Sequence, residues 1–423
     1  MHKPLQPWLR IWGAAGLSCL GLIAPASAGP LLTNSAAPEE RLAPGQLPAD
    51  PALQMSGELR EPYDPFFDVD WSLGLRGTYT TGSTGDRFET RVLPAFTLNH
   101  LGSRSTVAIS GDAEVVRGEE GEIDVSGLRL GLDGGYALDS VTTVSTTADF
   151  ALSQDIVGTP GIASDVLEAP RNWQASAGAT VERQFGLFNV AVSAVVARNA
   201  YGETRLIDGS TRDDSDQNYW STDGTLRVGY QATPIFEVFG EAGMGRDSFD
   251  SASAANSADA TDTTLRAGVS GNWNERLLAS ASTGLAFRRF DAESLDSLRT
   301  QVYDASLTYA LDPTLALKAG FTTTVAPPGP DASGTARVEY EATAEANYTI
   351  NSWLALRAGA AWSYAEYTGS NDTADGYGFS AGADYQVNSR AAINADYDYA
   401  YSDSQNAGVQ DAHRISLGLT VSR

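Results

Sequence analysis

The sequence predicts an all-β protein, a single closed antiparallel transmembrane β-barrel of about 18 strands, with 16 as the alternative count. Apolar and polar side chains alternate with a period of two in segments of about 10–14 residues along most of the 423-residue chain. The connections between these segments alternate between short turns and longer polar loops, which is typical of bacterial outer-membrane barrels. After the N-terminus, no uncharged apolar run reaches the roughly 18 residues that a membrane helix needs.

The composition excludes several classes of function. Lys+Arg is 28 and Asp+Glu is 53, so the formal charge of −25 argues against a general nucleic-acid binder, which needs a basic surface. The chain has only three His and one Cys, which are too few to make a zinc cluster or a histidine-based active site a reasonable expectation. The sequence therefore predicts no cofactor, no metal site and no enzymatic activity.

Residues 1–28 have the pattern of a Sec-type signal peptide. Lys3 and Arg10 form a basic start, residues 11–23 are apolar and uncharged, and residues 26–28 read Ala-Ser-Ala, a small-residue cleavage site. Cleavage would remove both basic residues, no acid and the only cysteine, which leaves a charge of 26 − 53 = −27.

Residues 29–65 form a proline-rich segment, whose proline density disfavours both helix and sheet. We interpret it as a flexible periplasmic linker, with a plug or a docking arm as the alternative. Its prolines are Pro30, Pro38, Pro44, Pro48, Pro51, Pro62 and Pro65.

Residues 66–423 are predicted to form the barrel. In the segment 391–402, Ile393 and Tyr397 lie on one face, and Asn394, Asp396 and Asp398 lie on the other. Successive side chains of a strand point to opposite faces, so such a segment has one apolar and one polar face. A soluble sandwich would need a second sheet to cover each apolar face, whereas a membrane barrel turns that face to lipid.

The connections fix the strand count, because eight short turns and nine longer loops join eighteen strands. The short turns lie at 100–103, 138–140, 186–188, 232–234, 274–276, 311–314, 351–352 and 388–389. The longer loops lie at 81–86, 117–121, 156–172, 206–216, 251–260, 292–298, 327–336, 369–375 and 403–410.

An aromatic residue precedes most short turns. The pattern Tyr-x-aliphatic-Asp/Asn recurs at Tyr309, Tyr348 and Tyr385, two strands apart each time. Aromatic rings at a fixed depth suit the boundary between lipid and water, although ordinary hairpin capping would also place them there. The predicted periplasmic-side girdle comprises Phe96, Tyr136, Tyr230, Trp273, Tyr309, Tyr348 and Tyr385.

The polar face of each strand is predicted to line the lumen. By alternation the lumen receives eight basic residues, Arg76, Arg91, Arg129, Arg227, Arg266, Lys318, Arg357 and Arg414. It also receives thirteen acids, Glu89, Asp112, Glu114, Asp133, Glu182, Asp223, Asp304, Glu339, Glu341, Glu345, Asp384, Asp396 and Asp398. Such a lumen can orient polar solutes through a transverse field, or its charges can pair and stiffen the wall.

One loop has a cluster of acids, Asp208, Asp213, Asp214 and Asp216. A calcium site needs several carboxylates at ligand spacing, but no EF-hand pattern occurs here. We therefore interpret this loop as solvated, with loose divalent bridging to lipopolysaccharide as an alternative.

Residues 67–79 (FDVDWSLGLRGTY), the Arg-Leu-Gly-Leu run that begins at Arg129 and the repeated Tyr-x-aliphatic-Asp/Asn turns resemble the putative β-barrel porin type 2 family. The resemblance covers about 66–423 and implies a barrel in the outer membrane of proteobacteria, with some members accompanying exopolysaccharide genes. The chain departs from the usual aromatic end of such barrels, because it finishes Thr-Val-Ser-Arg at 420–423.

The function that the sequence favours is a porin-like passive channel for small hydrophilic solutes. The alternatives are an export or binding barrel associated with exopolysaccharide and a structural outer-membrane protein with a plugged lumen. The expected partners are outer-membrane lipid, lipopolysaccharide, the barrel-assembly machinery and small polar solutes, without nucleic acid. The sequence leaves the oligomeric state open.

Overall fold

The computed structural model describes residues 67–423 except 84, 119, 120, 122, 156–161, 163, 164, 251–257, 275, 311, 313, 330–333, 371 and 406. The predicted signal peptide at 1–28 and the proline-rich segment at 29–65 lie outside the described residues. In the described part of the chain, no helix is long and apolar enough to cross a membrane.

Twenty-one strands form two sheets, of which the larger is the barrel. The strands are β1 (Asp68–Gly82), β2 (Arg87–Leu101), β3 (Ser105–Arg117), β4 (Ile123–Ala137), β5 (Thr142–Gln154), β6 (Val166–Glu168), β7 (Arg171–Phe185), β8 (Phe188–Tyr201), β9 (Glu203–Leu206), β10 (Thr211–Asp213), β11 (Tyr219–Gln231), β12 (Phe236–Phe249), β13 (Ala260–Trp273), β14 (Leu277–Phe290), β15 (Leu298–Ala310), β16 (Leu315–Ala326), β17 (Ala336–Asn351), β18 (Leu354–Thr368), β19 (Thr373–Asn388), β20 (Ala391–Ser404) and β21 (Gly408–Ser422).

The barrel has 18 strands, all except β6, β9 and β10. Each pairs antiparallel with the next barrel strand along the chain, and β1 also pairs with β21, which closes the barrel. The prediction of a closed antiparallel barrel with 18 strands is confirmed, and the alternative count of 16 is wrong. We call the β1–β21 junction the closure seam.

The apolar faces of the strands lie on the outside of the barrel. Leu75 of β1, Leu265 of β13 and Leu417 of β21 are 54%, 53% and 63% exposed, and polar side chains occupy the alternate positions. A protein that folds in water would bury such residues, whereas a membrane barrel solvates them with lipid. The two-residue alternation therefore persists around the wall, because the paired registers keep each apolar face on one side.

All eight predicted short turns join consecutive barrel strands at one end, which we call the turn end. Two of them use left-handed backbone conformations, at Gly186 with φ 62° and at Asn274 with φ 54°. Gly and Asn are the residues that adopt this conformation most readily, so they suit tight hairpins.

The nine longer connections lie at the opposite end, the loop end. Two of them are not the plain polar loops that the sequence suggested, because β6 from one connection pairs with β9 from the next. β9 also pairs with β10, and a 3-10 helix at Ser215–Gln217 follows. Buried Ile162, Val166 and Ala169, with Leu206 packed against them, give this small sheet its own apolar contact.

Candidate functional site

The candidate site is the inner wall of the barrel. The strand registers place all 21 charged residues predicted for the lumen on the face opposite the exposed hydrophobic side chains. Predicted residues of opposite charge lie opposite each other on neighbouring strands, as in the register pairs Asp112 with Arg129 and Lys318 with Glu345. Whether the lumen conducts solutes depends on the width left between these side chains, so their role in a pore remains a prediction.

A chain of ion pairs crosses the closure seam. Arg357 of β18 contacts Asp384 of β19 at 2.8 Å and Asp396 of β20 at 2.7 Å. The other oxygen of Asp396 lies 3.4 Å from Arg76 of β1. Asp396 therefore joins arginines that lie two strands away on either side, and the network spans five consecutive barrel strands.

A separate group of arginine–glutamate ion pairs lies on β2 and β3. Arg91 contacts Glu114 at 2.6 Å and Glu89 at 2.8 Å, and the second oxygen of Glu89 lies 3.1 Å from Arg87. Glu89 thus binds two arginines, one with each carboxylate oxygen. Opposite charges on this wall are paired at short range, as the wall-stiffening interpretation of the sequence requires.

The opposite part of the wall contains a second network. Arg288 of β14 is only 1% exposed and contacts Asp247 of β12 at 2.7 Å and Asp262 of β13 at 2.8 Å. Nearby on β11, Arg227 contacts Glu237 at 2.8 Å and lies 3.7 Å from the ring centroid of Phe239. These contacts lock the arginines to the wall by charge and by cation–π attraction.

Several lumen residues were missed from the sequence. Some of them lie an even number of positions from a predicted lumen residue on the same strand, and others lie opposite one on the neighbouring strand. Counting every second position from each predicted residue would therefore have found most of them. They include Arg87, Asp149, Glu237, Glu241, Asp247, Asp262, Arg288 and Arg337.

The loop end of the lumen is more tightly packed than most of the barrel. The side-chain amide of Gln410 on β21 donates a 2.9 Å hydrogen bond to the carbonyl of Ile162, which belongs to the connection between β5 and β7. That connection therefore reaches inward, because five strand pairings separate β5 from β21 along the wall. Lumen-facing Glu89, Val302 and Arg288 are also buried near this end.

Aromatic side chains ring the outer face at both ends. Five of the predicted girdle residues are exposed near the turn end, and Trp273 and Tyr309 are half-buried there. A second group, which the sequence pattern did not predict, lies at the loop end and forms neighbouring ring pairs among Tyr340, Trp362, Tyr364, Tyr377 and Tyr401. Two such belts are expected of a barrel with two lipid–water boundaries.

The loop acids do not form a single cluster. Asp214 is buried, where it accepts hydrogen bonds from the Thr204 hydroxyl and the Arg212 side chain, so its interpretation as solvated was wrong. Hydrogen bonds from the Ser210 hydroxyl and N–H hold the pKa of Asp208 below its usual value. Within the described residues, no group of three or more His, Cys, Asp or Glu side chains could hold a metal ion.

Comparison with known proteins finds one matching family model and several similar solved structures. The family model described as Putative beta-barrel porin 2 matches residues 77–423. The chain is similar to the outer membrane protein OpdK of Pseudomonas aeruginosa, with 10% identity, a TM-score of 0.41 and coverage of 84% of this chain and 99% of that chain. It is also similar to OccAB4 of Acinetobacter baumannii, with 10% identity, a TM-score of 0.41 and coverage of 84% and 98%. A search of curated proteins found no match.

Proposed function

The chain belongs to the Putative beta-barrel porin 2 family, and from that premise we propose that it is a passive outer-membrane channel for small hydrophilic solutes. The observation that carries the proposal is a closed barrel with an apolar outer face and a charged inner face. Eighteen strands enclose enough space for a water-filled lumen. The predicted signal peptide at 1–28 supports export to that membrane.

The loop end supports a narrow channel rather than a wide one. The contact between Gln410 and Ile162 brings one connection across the inside of the barrel. The arginines and acids of the wall then face a restricted passage, in which their fields act strongly on a solute. We expect passage of small polar molecules and exclusion of large ones.

Single-channel recording in planar bilayers tests the proposal. The purified full chain should produce stepwise currents, and the same preparation after heat denaturation should produce none. Gln410→Ala should increase the conductance of each step, because it removes the hydrogen bond that holds Ile162 against the wall. Gln231→Ala, at the turn end, serves as the control and should leave the conductance unchanged.

The second candidate function is a structural barrel with a closed lumen. The burial of Glu89, Val302 and Arg288 near the loop end favours it, because these inward-facing side chains have little contact with solvent. A folded barrel that never conducts, with or without the Gln410→Ala change, would establish this second function and refute the channel.

A further inference from the structure

The inner wall at the closure seam contains a row of three residues on adjacent strands, of which only Arg87 belongs to the ion-pair networks described above. Arg414 of β21 lies opposite Thr80 of β1, and Thr80 lies opposite Arg87 of β2. All three lie on the inward-facing side of their strands, so two arginines flank one threonine on three adjacent strands. Arg91 lies within electrostatic range of Arg414 and adds a third positive charge.

Polar groups in this row have unused hydrogen-bonding capacity. The Thr80 side chain is 1% exposed, yet its Oγ1 has no hydrogen-bond partner among the described residues. The same holds for Nε of Arg91 and Nε of Arg414. A buried polar group without a partner costs free energy, so such groups in one place need an explanation.

Arg414 differs from the other arginines of the seam. Arg76, Arg87, Arg91 and Arg357 all have a carboxylate within 3.4 Å. Asp398 is paired with Arg414 in the strand register, but in the described part of the chain no carboxylate comes within 4 Å of the Arg414 guanidinium. A positive charge on this wall therefore remains available to a ligand.

We propose that Arg414, Thr80 and Arg87 form a binding site for an anionic oxygen group, a carboxylate or a phosphate, on a solute that enters the lumen. A carboxylate or phosphate accepts several hydrogen bonds at once, and guanidinium groups donate them in a planar fork that matches this geometry. The Thr80 hydroxyl supplies a further donor between the two arginines. The inference rests on the proposed channel, because the solute reaches the site through the lumen.

The surroundings place this site on the solute's path. Gln410, which binds the carbonyl of Ile162, lies on the same face of β21 two inward-facing positions from Arg414 toward the loop end. On the turn-end side, Arg76 and Asp396 form the next ion pair. The row therefore lies just below the packed loop end, where an anion that passes the mouth first meets unpaired positive charge.

Ligand-observed NMR on the purified full chain in detergent micelles tests the site without requiring conductance. Succinate tests for a carboxylate ligand, inorganic phosphate tests for a phosphate ligand, and glucose serves as the neutral probe. We expect saturable binding of succinate, phosphate or both, and none of glucose. The stronger of the two signals identifies the ligand chemistry.

Variants then assign the residues. Arg414→Gln should weaken binding at least ten-fold, and Thr80→Val should weaken it several-fold. The affinity of Arg414→Lys should lie between those of Arg414→Gln and the wild type, because lysine keeps the charge but lacks the planar fork of the guanidinium group. Arg289→Gln makes the same change in net charge on the outer face and should bind like the wild type. Unheated gel migration identifies the variants that fold.

The inference is overturned if the folded wild type binds neither anion, or if Arg414→Gln binds as tightly as the wild type. These results are distinct from failure of the channel. Binding without bilayer currents would retain the site and refute the channel, whereas currents without binding would retain the channel and refute the site.

Discussion

At the scale of the residue, the short turns show why Asp or Asn recurs at the same place in the sequence. Asp139, Asp312, Asn351 and Asn388 each accept, through the side-chain oxygen, a hydrogen bond from the backbone N–H two residues later, at 2.7–3.0 Å. This local bond closes the turn without help from the rest of the barrel. Asp or Asn therefore recurs in the sequence because each turn needs this hydrogen bond. The aromatic residue before it recurs because its ring lies at the lipid–water boundary.

The turn bonds predict a pH response at Asp312. The Thr314 hydroxyl, and after it the N–H groups of Thr314 and Leu315, hold the pKa of Asp312 below its usual value of 3.8. The stabilisation is therefore complete above pH 3.8 and is lost as the pH falls through the lowered pKa. Thr314→Val should raise the pKa of Asp312 toward 3.8, as measured by carboxyl ¹³C NMR titration. Thr233→Val, in another turn, should leave it unchanged.

The alternation predicts unequal effects for neighbouring substitutions on β13. Leu265 faces outward and Thr264 faces the lumen. Leu265→Arg should destabilise the folded barrel by about 2–4 kcal/mol if it lies near the bilayer midplane, because the charge meets hydrocarbon. Thr264→Arg should destabilise the folded barrel much less, because its side chain faces the lumen. The folded fraction during urea titration in lipid vesicles measures both, and equal losses would contradict the assigned faces.

At the scale of the element, the strands are joined by more than backbone hydrogen bonds. Asp396 reaches over β19 to Arg357 and over β21 to Arg76. Gly382 of β19 makes this possible, because a Cβ at that position would come within 2.4 Å of the Asp396 carboxylate. The closure seam, where the two ends of the sheet meet, is thus bridged by side chains as well as by the β1–β21 ladder.

This bridge predicts a stability difference between two lumen acids. Asp396→Asn removes the charge shared by Arg76 and Arg357, so it should destabilise the barrel by about 1.5–3 kcal/mol. Asp133→Asn is the matched control, because among the described residues Asp133 has no ion pair within 4 Å. Urea unfolding of the two variants in the same lipid measures the difference. Similar midpoints would show that the bridge contributes little.

The two kinds of connection also predict how the barrel is oriented. Ser210 lies in the long connection between β8 and β11, and Ser389 lies in a two-residue turn between β19 and β20. Long loops face the cell exterior in outer-membrane barrels, so a membrane-impermeant thiol reagent should label Ser210→Cys on intact cells and leave Ser389→Cys unlabelled. Labelling of Ser389→Cys alone would show the reverse orientation.

Across the whole molecule, the inner wall of the barrel contains more acidic than basic side chains. The lumen-facing residues predicted from the sequence contain thirteen acids and eight bases. The structure adds five acids and three bases, so acids remain in excess on the inner wall. Arginine, not lysine, supplies nearly all of the basic residues, since the chain has only two lysines. Arginine suits this role because its planar fork binds two carboxylates at once, as Arg357 does.

The acid excess predicts weak cation preference in an open channel. Reversal potentials under a salt gradient should show it, and it should diminish at 1 M salt, where the Debye length falls to about 3 Å. Replacing Arg76, Arg129, Arg266 and Arg357 together with Ser should strengthen the preference, because the acids they oppose remain. Strong anion selectivity of the wild type would contradict the prediction.

The barrel, its strand number, the two classes of connection and the inward face of each strand could all be predicted from the amino-acid pattern. These features are local, since a two-residue period and a turn residue act over a few positions. The pairing of the charges could not be predicted in this way. Asp396, for example, lies between Arg76 and Arg357, which are 281 residues apart in the chain. The same is true of the contact between Ile162 and Gln410 and of the position of Thr80 between two arginines. Such contacts depend on barrel closure and strand register, which bring distant segments together and which no local pattern encodes.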